Sequence, residues 1–532
     1  MDSQPSGDRS IDAAALEAAE SVAGLAFTPD ERALMAARVA EARAGYAAMR
    51  QHTLDNAASP AFSFNPRPPG YCPPAAPVAP TPVNVDAPAD LERLAFAPVT
   101  VLASLMAAGR VTSMQLTEMY LARLKRYGPQ LSCVATLTEE LAREQAAQAD
   151  AEIGAGQPRG PLHGIPYGVK DLLATRRYPT GWGAPPYRGR RLDFDATVVE
   201  RLADAGAVLV AKLSMGSLAW GDIWYGGKTK SPWDLTAGSS GSSAGSGAAT
   251  AAGLVGFAIG TETNGSIVSP CTECGVTGLR PTFGRVSRYG AMALAWTLDK
   301  IGPMCRSAAD CALVFDAIRG TDGRDASVVD APFPWEPRVE WEGLRVGYVP
   351  SLFAAERPSQ EADQATLDCL TELGVSLIPF DLPDFPLEAM QMLLWVEAAA
   401  AFDELVSSDR DDELVRQDEG AWPNRFRAAH LVPAVEYLRA QRLRGKLIDD
   451  MRARLAQLDV YVAPSYSPNL WLTNLTGHPA VIAPNGFRPN GLPSTITFIG
   501  HYDDEARLLA VAKGYQQATG HHLRTPPLFA TE

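Results

Sequence analysis

At 532 residues, with 46% hydrophobic and 20% charged side chains, the chain has room for roughly two to four domains or one large α/β core, and its composition excludes a disordered tail or a fibre. A formal net charge of −14 repels a phosphate backbone, and the densest basic stretch, Arg188-Gly189-Arg190-Arg191, is too short for a nucleic-acid patch, so no nucleic-acid partner is expected. Seven scattered cysteines, an odd number, argue against a disulfide framework and for a reducing compartment.

The N-terminus continues acidic and alanine-rich from Met1-Asp2-Ser3-Gln4-Pro5, without the basic stretch and apolar run of a secretory signal. Thr28-Pro29-Asp30-Glu31 reads as a helix start, with Thr28 as cap, Pro29 at the first helical position and Glu31 closing a capping box. It predicts a helix to about His52. From Pro60 to Pro88 prolines recur every few residues, which predicts an extended, semi-rigid linker. Leu116, Met119, Tyr120 and Leu124 then fall at helical spacing behind a cap at Thr112, and Glu139 to Ile153 reads as another amphipathic helix.

After residue 160 short apolar strands alternate with helices. Residues 208–211, 344–349, 375–379, 460–463 and 495–499 read as buried strands, and 197–204, 360–373 and 504–517 as helices. That alternation predicts an α/β fold with a large, mostly internal sheet flanked by helices. The predicted organisation is a helical N-terminal extension (1–59), a Pro-rich linker (60–92) and one large domain (93–532), with 386–457 a helical insertion or cap. The longest apolar run, Ala248 to Ile259, is glycine-interrupted and too short to span a bilayer, so a cytoplasmic protein with no membrane partner is expected.

Three stretches carry chemistry. Ala237-Gly-Ser-Ser-Gly-Ser-Ser-Ala-Gly-Ser-Gly247 runs straight into an apolar segment that must be buried, so this polar loop is pinned against the core rather than free as a linker. Gly260-Thr261-Glu262-Thr263-Asn264-Gly265-Ser266-Ile267 is a small-residue turn ending in a serine, a geometry that exposes a hydroxyl beside converging N–H groups. In Gly164-Ile165-Pro166-Tyr167-Gly168-Val169-Lys170-Asp171 a lysine ends an apolar segment; read alone it is a strand-end lysine with its head in water, but if buried it becomes a neutral base. Cys271 and Cys274 form a CxxC that nothing nearby completes, so they read as small buried thiols and no metal is expected.

In order, these three motifs resemble the amidase signature family, as do Cys274 to Gly290, Leu298-Asp-Lys-Ile-Gly-Pro-Met304, Asn474 to Val481 and Gly491-Leu-Pro493. The resemblance spans about 95–525. The cap-and-helix pattern ahead of it distantly resembles the small C subunit of bacterial tRNA-dependent amidotransferases. The resemblance implies the amidase-signature fold, with Ser266 as nucleophile, Ser242 (in a cis peptide) as proton relay and Lys170 as terminal base. It implies an oxyanion hole from the N–H groups of Thr263, Asn264, Gly265 and Ser266, a substrate-facing Leu218 and a Ser243 hydrogen bond within the triad, and Gly241 and Ser243 are also candidate substrate-binding residues. No cofactor is required. Two positions depart from the family: Asn264 stands where Gly is usual, and Val268 where many members have arginine.

The implied function is hydrolysis of a carboxamide C–N bond through an acyl-enzyme, with aryl or alkyl amides, esters or carbamates as small-molecule substrates. Trp182, Leu218, Trp220, Trp224, Tyr225 and Trp296 flank the motifs and are candidates for an apolar substrate pocket, with Leu218 and Trp220 the foremost. Other readings stand beside it. Gly241-Ser242-Ser243-Ala244-Gly245 also fits the nucleophile elbow of a Ser-His-Asp esterase with Ser243 as nucleophile and His430, His478, His501, His521 and His522 available. An ammonia-producing A-type amidotransferase component would need partner chains, and a non-catalytic binding protein would have lost a triad member, which none is. The N-terminal helices are candidates to pack on the core, cover the active site or form a homodimer contact.

Overall fold

The computed structural model describes residues 11–49, 51–52, 56, 58, 64–67, 88 and 90–530; the proline-rich run over 68–87 lies outside the described residues. Two helices open the chain. In α1 (Ala13–Ala23) the Asp12 side chain accepts from the Ala15 N–H at 2.8 Å, and Gly24 closes the helix at φ +68°. In α2 (Pro29–Met49) Thr28 caps as expected: its N–H donates to Glu31 Oε2 at 2.6 Å, and the Glu31 N–H returns to Thr28 Oγ1 at 3.3 Å. Arg32 joins the two helices through a 2.8 Å pair with Glu20.

Next come α3 (Val99–Ala107), α4 (Ser113–Leu131) and α5 (Glu139–Gly154). Thr112 caps α4 in a full capping box with Gln115. The main sheet has eleven strands: β1 (Val134–Leu137), β2 (Pro166–Lys170), β3 (Val208–Leu213), β4 (Phe257–Glu262), β5 (Thr277–Arg280), β6 (Lys300–Cys305), β7 (Arg345–Tyr348), β8 (Ser376–Pro379), β9 (Val460–Pro464), β10 (Ala480–Phe487) and β11 (Pro493–Gly500). Their order is β1-β3-β2-β4-β6-β5-β10-β11-β9-β7-β8. β3, β2 and β4 run parallel, as do β9, β7 and β8, and the strands between pair antiparallel, so the sheet is mixed.

The five strands predicted from the sequence are β3, β7, β8, β9 and β11, and the helix α6 (Thr197–Asp204) has the predicted bounds. β4, β5, β6 and β10 did not announce themselves, nor did the short β1, and β2 showed only as the apolar segment that Lys170 ends. β2, β4, β5 and β6 are buried on both faces, as is β10 over residues 480–485, so alternation is lost, and Pro166, Gly168, Gly260, Pro303 and Pro484 break the β-branched runs that mark a strand. Residues 386–457 hold the helices Met392–Ala401, Asp403–Ser407, Trp422–Ala429 and Ala434–Leu455.

Two strand ends position the chemistry. In the parallel pair β2–β4, Val169 lies opposite Ile259, so Lys170 and Thr261 emerge at the same end. The serine-glycine loop enters α7 (Ala244–Ala251), a helix of small, wholly buried residues. Their size permits close approach: a Cβ on Gly245 would lie 2.5 Å from Cys133 O and from Ser214 N.

Candidate active site

Lys170 is fully buried. Its Nζ lies 2.7 Å from Ser242 Oγ, 3.1 Å from Ser243 Oγ and 2.8 Å from Thr261 Oγ1, and among the described residues no carboxylate is a hydrogen-bond partner. Burial drives the lysine down to about 7, against a partial upward pull from Asp299 and Glu262. The adjacent Asp171 turns to the buried Lys212, 3.1 Å away, and takes the Gly181 N–H at 3.0 Å.

The serine loop is held by close backbone approach. The Gly241–Ser242 peptide is cis, and Ser240 sits at φ +56°. A Cβ on Gly241 would stand 1.8 Å from Gly221 O, so only glycine fits. Ser242 Oγ donates to Ser266 Oγ at 3.1 Å, completing a line from Lys170 through Ser242 to Ser266. Ser243 Oγ donates to Thr261 O and accepts from the Thr261 N–H, both at 3.1 Å. Its hydroxyl is thus engaged by Lys170 and Thr261, and none of its partners among the described residues is a histidine. His478 is buried, bonded to Thr476 Oγ1 at 2.7 Å and stacked on Tyr502, and burial pushes it down to about 3.

Ser266 sits on the turn between β4 and α8 (Val268–Cys274). Gly265 has φ +87°, and the Ser269 N–H donates back to Gly265 O at 2.7 Å. Glu262 shapes the turn from below: its Oε2 takes the N–H groups of Ile267 at 2.8 Å and Val268 at 2.9 Å, while Oε1 takes Arg280 and Asn474, each at 2.8 Å. Burial pushes the Glu262 carboxyl up, but Arg280 and the Val268 amide outweigh it and hold it at about 2. Among the described residues no acceptor faces the N–H groups of Asn264, Gly265 or Ser266. Val268 is buried at the start of α8.

A cavity of about 180 Å³ borders this constellation. Thr261 and Thr263 bring the triad strand to its wall, and Leu172, Phe194, Met292, Leu294, Trp296 and Ile301 make an apolar side. Thr263 Oγ1 donates to Asp299 Oδ1 at 2.6 Å; burial pushes that carboxyl up, and the Leu294 and Ala295 N–H groups hold its other oxygen at 2.8 and 3.0 Å.

The structure brings Lys170, Ser242, Ser243 and Ser266 together, with the turn of Thr263, Asn264 and Gly265 beside them. The aromatic candidates disperse. Trp296 lines the cavity. Leu218 is fully buried at φ +47°, and its neighbour Ala219, not Leu218, reaches the cavity wall. Trp220 lines a separate recess with Trp422, 4.9 Å away between ring centres, and Arg425 lies over its face at 4.9 Å. Trp182 packs on Tyr187 and Phe402, and Trp224 on Tyr225. Sequence reasoning missed Thr261, Glu262 and Asp299 as site residues. Thr261 and Glu262 lie inside the Gly260–Ile267 motif, so their signal was present, but only the ladder register reveals that they face Lys170 and the turn. Among the described residues no group of three or more His, Cys, Asp or Glu side chains is placed to hold a metal ion. Among the same residues no helix is long and apolar enough to cross a membrane.

A family profile described as Amidase matches residues 115–509. The chain is 35% identical over 483 residues to the A-type component of the glutamyl-tRNA(Gln) amidotransferase of Halorhodospira halophila, covering 81% of this chain and 99% of that protein. It is 35% identical over 488 residues to the protein of the same name from Chloroflexus aggregans, covering 82% and 99%. Among solved structures, the native peptide amidase from Stenotrophomonas maltophilia superposes with a TM-score of 0.73 at 32% identity, covering 83% of this chain and 100% of that one.

Proposed function

The chain belongs to the amidase signature family and is an amide-hydrolysing enzyme, and on that premise we propose that it works through a Ser266–Ser242–Lys170 triad and an acyl-enzyme, on amides with an aryl or alkyl group and on esters or carbamates of similar shape. The observation that carries the reading is the line from Lys170 Nζ to Ser242 Oγ at 2.7 Å and on to Ser266 Oγ at 3.1 Å, closed off from solvent at the lysine. A lysine lowered to about 7 leaves about half the enzyme with a neutral amine at neutral pH, against roughly one in a few thousand for an ordinary lysine.

The chemistry follows from that amine. Ser266 Oγ attacks the carbonyl carbon as its proton passes to Ser242 Oγ and the Ser242 proton passes to Lys170 Nζ. The carbonyl electron pair moves onto oxygen and is met by the N–H groups of Thr263, Asn264, Gly265 and Ser266, of which the last three face no acceptor of the protein among the described residues. The proton then returns from Lys170 through Ser242 to the nitrogen, so the C–N bond breaks with a neutral amine departing. Water repeats the sequence on the ester and frees the acid and Ser266. Ser243 and Thr261 hold the lysine on line. The apolar side of the cavity suits the aryl or alkyl group: an engineered cavity of about 150 Å³ is large enough for benzene.

The test is product-detected hydrolysis of primary amides, anilides, carbamates and esters by wild type and Ser266→Ala. Turnover lost in the variant is expected; turnover retained at the wild-type level would overturn the mechanism. A second reading, an ammonia-producing A-type amidotransferase component, draws support from the similarity to the two amidotransferase proteins. It predicts glutamine hydrolysis only when partner chains are supplied. Against it, the two arginines at the cavity that would meet an amino-acid carboxylate are already engaged, Arg288 by Asp325 at 2.9 Å and Arg324 by Glu200.

A further inference from the structure

Asn56, far ahead of the triad motifs, is part of the cavity wall. Its Nδ2 donates to Ala293 O at 2.8 Å and to Ala401 O at 3.2 Å, and its Oδ1 accepts from the Ala293 N–H at 2.7 Å. One side-chain amide therefore satisfies both backbone groups of Ala293, as a neighbouring strand would, across 237 residues of sequence. Ala293 sits in the cavity loop between Met292 and Leu294, both of which line the wall. The loop has no helix or strand of its own at this point. The Ala401 bond ties it to the C-terminal end of the helix Met392–Ala401.

Two described residues downstream of Asn56 are also fastened. The Phe64 ring lies 3.4 Å from the Arg444 guanidinium carbon and 5.1 Å, between centres, from Phe283. Arg67 makes a two-pronged pair with Asp503 at 2.7 and 2.6 Å. Asn56, Phe64 and Arg67 thus each contact a distant part of the chain.

We propose that Asn56 is a specificity-determining positioning residue: by pinning Ala293 to the N-terminal segment and to the Met392–Ala401 helix, it sets the position of Met292 and Leu294, and so the size of group the cavity accepts. All three of its hydrogen bonds go to backbone, so it acts through the loop and not by contact with the reacting atoms. The inference rests on the reading of Ser266 as nucleophile, and the experiment separates the two.

Full-length enzyme is treated with two fluorophosphonates, one carrying a small alkyl group and one a phenylalkyl group, and the second-order rate of Ser266 labelling is measured for each. Asn56→Ala is expected to shift the ratio of the two rates by about tenfold or more, the scale at which a misplaced pocket wall or a methylene is felt. Asn56→Asp keeps the acceptor for the Ala293 N–H but loses both donated bonds, and its ratio should fall between those of wild type and Asn56→Ala; it also serves if the alanine variant fails to fold. A ratio within about twofold of wild type in both variants overturns the proposal and leaves the segment a structural strap. Failure of both probes to label Ser266 in the wild type would instead remove the nucleophile reading, and the inference with it.

Discussion

Lys170 has the hydroxyls of Ser242, Ser243 and Thr261 and one carbonyl within reach of Nζ, and nothing negatively charged among them. Its amine is therefore a base in waiting, and the pH profile must show it. Burial lowers the folded-state value to about 7, so kcat/KM should rise with unit slope through about pH 7 and level off above. A profile with no inflection between about pH 6 and 8 would count against Lys170 as the base. The stability sign follows from the same shift. Between about 7 and the ordinary 10.5 the unfolded chain binds a proton that the folded chain does not, so the stabilisation from removing this amine, in Lys170→Met, shrinks as pH rises through that window. Urea titrations of the two proteins at pH 7 and 9.5 measure it. Ser266→Ala and Lys170→Met should each cost at least about a thousandfold in kcat, and the double variant little more than either, because the residues act as one relay.

At the scale of elements, Glu262 turns a strand end into a catalytic turn. It ends β4, takes the first two N–H groups around the start of α8, and binds Arg280 on β5, all without solvent. Glu262→Ala would strand the Arg280 charge and loosen the turn that carries Ser266. We expect a loss of about 3–5 kcal/mol in chemical denaturation and slower labelling of Ser266 in the fraction still folded. Unchanged stability would mean that water or a shifted side chain takes over the carboxylate's bonds. None of this was legible in the sequence, although the three motifs were. Ser242, Ser266 and Lys170 sit in glycine-rich or strand-end patterns whose order carries information. Glu262 lies within the same motif, but its side-chain partners come from β5 and from Asn474, and register between doubly buried strands leaves no periodic mark. The aromatic residues fail for the complementary reason: Trp220 and Trp182 flank the motifs in sequence, yet they pack against Trp422 and Phe402 of the helical region over 386–457, whose position no local pattern specifies.

At the scale of the whole molecule, the cavity loop over 291–299 is gripped by three distant parts of the chain. Asn56 holds Ala293. On the Met392–Ala401 helix, Glu397 accepts from Thr297, from its N–H at 2.9 Å and its Oγ1 at 2.6 Å. On the Ala434–Leu455 helix, the buried Arg444 donates to Thr297 O at 2.8 Å while the Phe64 ring covers its guanidinium. The Met392–Ala401 helix is common to two of these grips, because Asn56 also bonds Ala401 at its end. If the grips were independent, losing both would cost the sum of losing each. If loop and helix move as one body, the first loss frees part of what the second would have released. A double-mutant cycle on Asn56→Ala and Glu397→Ala should therefore show a coupling of about 0.5–3 kcal/mol in stability, and the labelling ratio of the double variant should fall short of the product of the single effects. Strict additivity in both readouts would mean that the N-terminal segment and the helical region each touch the pocket separately, with no shared element between them.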